Sequence, residues 1–411
     1  MKEQIVRYLN DPVELERLYQ QHKMLFKQAF FALYPEVAGH PVAQCWHARL
    51  SQERDEWFRL PKKELQFTLW LSLIAGAIAN LPEWMAVKSD EFYMRYAGFI
   101  VFPFFMIYFV WKHKLSFNQW IGILLFICAS VVYMSFLPDG KHDTFMLASM
   151  HLPVVLWLLT GYLFIGGHIH DDQKKIAFLR YNGDLIIVTQ LVLISGGIFS
   201  FITIGLFQFI QIHIQDVYTH IAIWGITAAP LLANYLIQAN PDLVNKVSPI
   251  IARIFTPLVA VMLIIYLTTL LFTGKNPYND REFLILFHLV LIGVMAIIFF
   301  SVAATSASTD RLFIYVLLIL SLVTIVLCAI TLSAILFRIF KWGITPNRLA
   351  ASGSNILIMT NLIWISFRLF RAGKQKHDMQ AVGKSMVSFL PAYMLWAAIV
   401  SFLFPVLFHF Q

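Results

Sequence analysis

Long runs of apolar residues, broken by short polar stretches, follow one another through most of this chain. Eleven such runs lie near 67–85, 96–111, 117–137, 145–166, 185–209, 218–237, 250–272, 283–303, 312–337, 354–370 and 388–408. A helix needs roughly 20 mostly apolar residues to cross a hydrocarbon core about 30 Å thick. Irregular backbone cannot face lipid, because its N–H and C=O groups would go unpaired, so the runs predict helices. The pattern predicts an all-α fold: a polytopic integral membrane helical bundle of about eleven transmembrane helices. Its first partner is the lipid bilayer.

Residues 1–65 read differently, as a helical tail ahead of a transmembrane domain over 66–411. In Asp11-Pro12-Val13-Glu14 the carboxylate of Asp11 can accept from the orphan N–H groups of a helix start. Pro12 suits the first helical position, and Glu14 falls where a capping-box partner stands. This helix is expected to run to about Leu33 and stop before Pro35, with a second helix over 41–59. The first twenty residues hold no apolar stretch of the kind a cleavable signal peptide needs. The tail carries ten Lys/Arg against nine Asp/Glu. Its apolar residues Leu15, Leu18, Tyr19, Leu25, Phe26 and Phe30 predict docking on the membrane or the bundle, and residues 1–60 are a candidate contact for a cytosolic protein partner.

Composition agrees with the pattern. The chain is 59% hydrophobic and 13% charged, whereas a soluble globule is about a quarter charged. The net charge of +8 does not mark a nucleic-acid binder, because the cations sit in short loops between apolar runs. With the N-terminus inside, 23 of the 31 Lys/Arg fall on the inner side, which predicts a cytosolic N-terminus and an outer C-terminus. The exception is Arg338, Lys341 and Arg348, which this topology turns outward. Cys45, Cys128 and Cys328 have neither metal-knuckle spacing nor the pattern of a disulfide framework.

The exceptional loop and the run after it read KWGITPNRLAASGSNILIMTNLIW, residues 341–364. This segment resembles the signature of a bacterial inner-membrane family catalogued as domain of unknown function 4153. The matching positions are Gly343, Ile344, Thr345, Arg348, Asn355 and Asn361, and Trp342 stands where the family usually has Tyr. A second stretch, FLRYNGDLIIVTQLVLISGGIF at 178–199, resembles the same family's Gly–acidic segment leading into a glycine-bearing span. The resemblance covers most of the chain from the first span onward. It implies a multi-span fold in the bacterial inner membrane and no established activity.

Polar groups at membrane depth are costly and so mark candidate sites. Glu83, His151, His220 and His288 fall in the outer third of four different runs. If Glu83, His151 and His288 converge, they line an outward-facing vestibule with Arg348 at its rim, and Glu83 is the natural counter-charge. The competing reading is four unrelated side chains, each reaching the interface or bonding a neighbouring helix. Asn361 lies mid-run, as a ligand or as an interhelical hydrogen bond. In the GITPNR loop Thr345 can cap a helix that starts at Pro346, while Gly343 permits a left-handed backbone. Lys341 and Arg348 can there hold an anion or a lipid phosphate, or Arg348 can simply cap a backbone carbonyl. The segment His168-Ile169-His170-Asp171-Asp172 carries ligand types suited to zinc or manganese. Adjacent aspartates and the lack of a second cluster read instead as a polar loop after Gly166-Gly167. No metal or cofactor is therefore expected.

There is no P-loop, G-x-S-x-G or H-E-x-x-H motif. Three functions follow from many spans and sparse intramembrane polar groups. The first is a permease-like carrier or channel component for a small solute or ion, with Glu83, His151, His288, Arg348 and Asn361 as candidate binding residues. The second is a membrane-embedded sensor or regulatory protein signalling through its tail. The third is an enzyme acting on lipid-linked substrates at the outer face.

Overall fold

The computed structural model describes residues 2–21, 23–52, 61–85, 87–138, 142–209, 214–272, 278, 281–304, 311–374 and 379–409. The end of the expected helix at 53–59, the loop cations Lys141, Lys275 and Lys376, and the last two residues lie outside them. Met1–Leu60 and Pro61–Gln411 form two compact units.

The first unit holds α1 (Lys2–Arg7), α2 (Pro12–Gln21), α3 (Lys23–Val37) and α4 (Pro41–Gln52). Asp11 caps α2 as its side chain dictates, accepting from the N–H groups of Val13 and Glu14 at 3.1 and 3.2 Å. Glu14 turns outward to Arg17 at 3.3 Å. The helix expected to run to Leu33 is described in two segments, α2 and α3, with His22 between them outside the described residues. Pro35 does not stop the second, because it sits in the last turn of α3, where its missing N–H forfeits only one helical bond. Tyr19 of α2 meets Phe26 of α3 and Trp46 of α4 edge-on, with ring centroids 5.5 and 5.3 Å away. Leu15, Leu18, Tyr19, Phe26 and Phe30 thus close a core within the unit rather than facing outward, which corrects the docking expectation for these five, while the Leu25 side chain is not among those described.

The second unit begins with α5 (Lys62–Ala79), α6 (Leu81–Trp84), α7 (Ser89–His113), α8 (Phe117–Phe136) and α9 (Asp143–Phe164). It continues with α10 (Asp172–Phe209), α11 (Gln215–Ala239), α12 (Pro241–Phe272), α13 (Arg281–Ala304), α14 (Arg311–Trp342) and α15 (Pro346–Lys374). It closes with α16 (Met379–Val387), α17 (Leu390–Ala398), a π turn over Ile399–Leu403 and α18 (Phe404–Leu407). This is an all-α polytopic bundle. Among the described residues, ten helical segments are long and apolar enough to cross a membrane: one in each of α7 to α15, and Met379–Leu407.

The first expected run, 67–85, is not one of the ten. It forms α5 and the short α6, with Lys62, Lys63 and Glu64 in the opening turn of α5. Packing nonetheless places α5 in the bundle. Glu64 accepts from Tyr108 near the end of α7, while the Ala79 carbonyl accepts from Tyr93 near its start at 2.8 Å. Fifteen residues separate the contacts in each helix, so α5 runs antiparallel to α7 for about 22 Å. Against α11 it packs through Gly76, where a Cβ would lie 2.4 Å from the Trp224 ring. The bundle therefore has two ends, one marked by Glu64 and the other by Glu83.

The second expected run, 96–111, is longer than its apolar stretch. It begins at Ser89, since Asp90 and Glu91 suit the positive end of a helix dipole. Bulky apolar side chains such as Phe109, Leu156, Phe287, Leu320 and Leu362 fill the centre of the bundle, all at most 1% exposed. Leu125, Phe199, Phe201, Leu258 and Phe272 point outward at 59–87% exposure. Apolar residues facing both ways are what a bundle in lipid requires.

Candidate functional site

The Glu64 end carries a polar cluster drawn from four helices. Lys112 and Tyr108 are one helical turn apart on α7 and so share a face. Lys112 Nζ lies 2.7 Å from Glu64 Oε1, and the Tyr108 hydroxyl donates to the same oxygen. Their side chains are largely shielded, Glu64 at 13% and Lys112 at 26% exposure. A carboxylate withdrawn from water costs several kcal/mol, and only a close cation and hydrogen-bond donors offset it. Beside this pair, Tyr181 of α10 donates to Asn234 Oδ1 of α11 at 2.8 Å. Asn234 and Tyr235 are buried at 0% and 1% exposure. Asn234 Nδ2 faces the Tyr108 hydroxyl, and among the described residues the Tyr235 hydroxyl has no hydrogen-bond partner. One buried donor is thus left over next to an ion pair, in a bundle where unmet polar groups are expensive.

At the Glu83 end, Glu83 pairs with His220 of α11, and Tyr93 lies close enough to feel its charge. The α5–α6 segment therefore carries a carboxylate at each end, each facing a cationic or basic partner on a neighbouring helix. His151 Nδ1 lies 2.9 Å from the Leu147 carbonyl one turn back on α9, and its ring is within electrostatic reach of His288 on α13. His288 Nδ1 is buried without a hydrogen-bond partner among the described residues. The structure, not the sequence, pairs these residues at this end, Glu83 with His220 and His151 with His288.

Arg348 is engaged differently. Its Nη1 donates to the Trp342 and Gly343 carbonyls at 3.2 and 2.7 Å, so it caps the end of α14. Glu83 and Arg348 make these contacts rather than one with each other. Thr345 caps α15 as its side chain allows, accepting from the Arg348 N–H at 3.3 Å, and Gly343 takes a φ of 83°. Asn361 is fully buried and donates from Nδ2 to the Tyr393 hydroxyl at 3.1 Å, tying α15 to α17 near Cys328. A shallow cleft between α7, α8 and α9 is lined by Arg95, Met134 and Ser149, and none of the sequence candidates borders it.

In the HIHDD segment Gly166 and Gly167 have φ of 66° and 78° and end α9, with Gly167 N–H bonded to the Tyr162 carbonyl at 3.0 Å. Asp171 accepts from the Gln173 and Lys174 N–H groups at 3.0 and 3.2 Å, which caps α10. Asp172 pairs with Lys175 at 3.2 Å. Every carboxylate there has a structural task. Among the described residues no group of three or more His, Cys, Asp or Glu is placed to hold a metal ion.

No family model, no curated protein and no solved structure matches this chain. Function has to be read from the sites themselves.

Sequence reasoning missed Glu64, Tyr108, Lys112 and Tyr181. Glu64 was assigned to the tail and Lys112 to a loop that orients spans. The one available signal was that Glu64 stands three residues before the apolar run starts, within a turn of it.

Proposed function

We propose that the chain is a permease-like carrier or channel component for a small or ionic solute. The observation that supports it is the Glu64–Lys112 pair with Tyr108, shielded among four helices beside the unpartnered hydroxyl of Tyr235. A structural ion pair at a helix end needs no spare buried donors. A site that exchanges its internal partners for a solute does, because the solute's acceptors then complete them. Glu83 with His220, and His151 with His288, are the proposed polar lining of the opposite end, and Asn361 of the interior. The cation bias supports a cytosolic Glu64 end, and the segments at 178–199 and 341–364 support kinship with the inner-membrane family they resemble.

The test is charge movement across proteoliposomes on a solid-supported membrane, probed with a proton step and with a panel of small amines, carboxylates and amino acids. The parent protein should give a transient current for at least one probe, and Glu64→Gln should reduce it tenfold or more at unchanged insertion. Currents equal in the two proteins, or absent from the parent across the panel, overturn the reading.

A second reading draws on Met1–Leu60, which packs around its own aromatic core. A unit of that kind can relay a state to a cytosolic partner. Co-purification of one protein with the full chain, lost when residues 1–60 are deleted, supports it.

A further inference from the structure

The end of α14 gathers three cations on one indole. The Arg338 and Arg348 guanidinium carbons lie 5.2 and 5.8 Å from the Trp342 ring centroid, and Lys341 Nζ lies 5.0 Å from it. Lys341 also rests on Phe337, at 5.6 Å. Like charges repel, so this convergence has to be offset by something. The aromatic faces supply part, about 0.5–1 kcal/mol per exposed contact. Lys341 makes no ion pair among the described residues, and Arg348 spends Nη1 on carbonyls without meeting a carboxylate. Among the described residues no carboxylate neutralises either charge.

The surroundings are those of a membrane boundary. Phe340 is 86% exposed, Ile344 64% and Trp342 46%, so apolar surface flanks the cations on both sides in sequence. The loop also lies at the Glu83 end: Leu147 near the start of α9 packs with Ala350 near the start of α15, and Arg95 of α7 stacks on Phe145 of α9. That is the end with the fewer Lys/Arg, where the positive-inside bias does not call for cations. Three of the eight assigned to it, Arg338, Lys341 and Arg348, gather around Trp342.

We propose that Lys341 and Arg348, set around Trp342, form a binding site for the phosphodiester headgroup of an anionic phospholipid. The phosphate oxygens accept from Lys341 Nζ and from the Arg348 guanidinium while its Nη1 stays on the α14 carbonyls. Trp342 and Phe340 meet the glycerol and upper acyl chain, the level at which aromatic rings settle in a bilayer. The ligand is a lipid rather than a free anion, because exposed apolar side chains border the cations and add nothing to binding inorganic phosphate. This proposal is independent of what the bundle transports.

The full-length protein in a neutral detergent is titrated with dioctanoyl phosphatidylglycerol, dioctanoyl phosphatidylcholine or inorganic phosphate, and thermal stability is followed. Phosphatidylglycerol should stabilise the parent at concentrations where the other two do not. Lys341→Gln should weaken that effect about fivefold and Lys341→Gln with Arg348→Gln about 25-fold, from roughly 1 kcal/mol per interfacial cation. Lys341 caps no helix end among the described residues, so the single variant should match the parent's stability without lipid, and Arg348→Lys should retain most of the binding. Equal response to both lipids, equal response to inorganic phosphate, or an unchanged affinity in Lys341→Gln overturns the proposal.

Discussion

Removing one half of the Glu64–Lys112 pair perturbs the buried cluster most sharply. Lys112→Met keeps most of the side-chain volume but takes away the ammonium 2.7 Å from Glu64 Oε1. It leaves a carboxylate that is 13% exposed with Tyr108 as its remaining donor. Breaking a buried pair costs about 3–5 kcal/mol. Because Lys112 is a quarter exposed, water replaces part of the lost attraction, and about 2–3 kcal/mol is expected. Glu64→Gln should cost less, about 1–2 kcal/mol, since Tyr108 can still donate to the amide oxygen and Lys112 can turn toward water. The double variant no longer strands either charge, so its loss should fall short of the sum by about 1.5–2 kcal/mol. The assay is unfolding in mixed micelles by dodecyl sulfate titration, with the four proteins compared at one detergent ratio. Losses that add to within about 0.5 kcal/mol would show that the two charges do not interact.

Three further outcomes are expected. A Cβ on Gly353 would lie 2.0 Å from the Trp396 ring, which its bond to Ser354 Oγ at 3.0 Å holds in place. Gly353→Ala should therefore cost about 1–3 kcal/mol in the same titration, whereas Gly122→Ala, which meets nothing within 4 Å, should cost none. Phe26→Ala opens the aromatic core of the first unit and should cost that unit about 3–5 kcal/mol, read as faster proteolysis within residues 1–60 of the full chain with the bundle intact. Changing His168 and His170 together to Ala should leave thermal stability the same with and without chelator, and a chelator-sensitive drop confined to the parent would restore a metal site there.

What the sequence made legible, and what it hid, divides by range. The apolar runs at 117–137, 145–166 and 283–303 matched helices closely, because length and hydropathy are local properties. Thr345 could be read as a cap, and Gly166-Gly167 as a helix end, since caps depend on neighbours three or four residues away. The depth of Glu83 and His220 was readable as well, but not that they pair. Lys112 lies 48 residues from Glu64, and no periodicity connects them. Pairing of that kind depends on which helices pack side by side. The charges at 62–64 masked the start of α5, and the cost of Glu64 is met by α7, which lies far along the chain. Pro35 misled in the opposite direction, because the cost of a proline depends on its place within the turn.

The central claim is that α5 and α6 cross the membrane and carry one charged contact to each end of the bundle. Sidedness tests this directly. In a background with Cys45, Cys128 and Cys328 replaced, single cysteines at Lys62 and at Met85, which is 68% exposed, are labelled with a membrane-impermeant maleimide in right-side-out and inverted vesicles. The account predicts that the two positions label from opposite sides. Labelling of both from the same side would show that α5 does not cross, and with it the pairing of the two ends would fall.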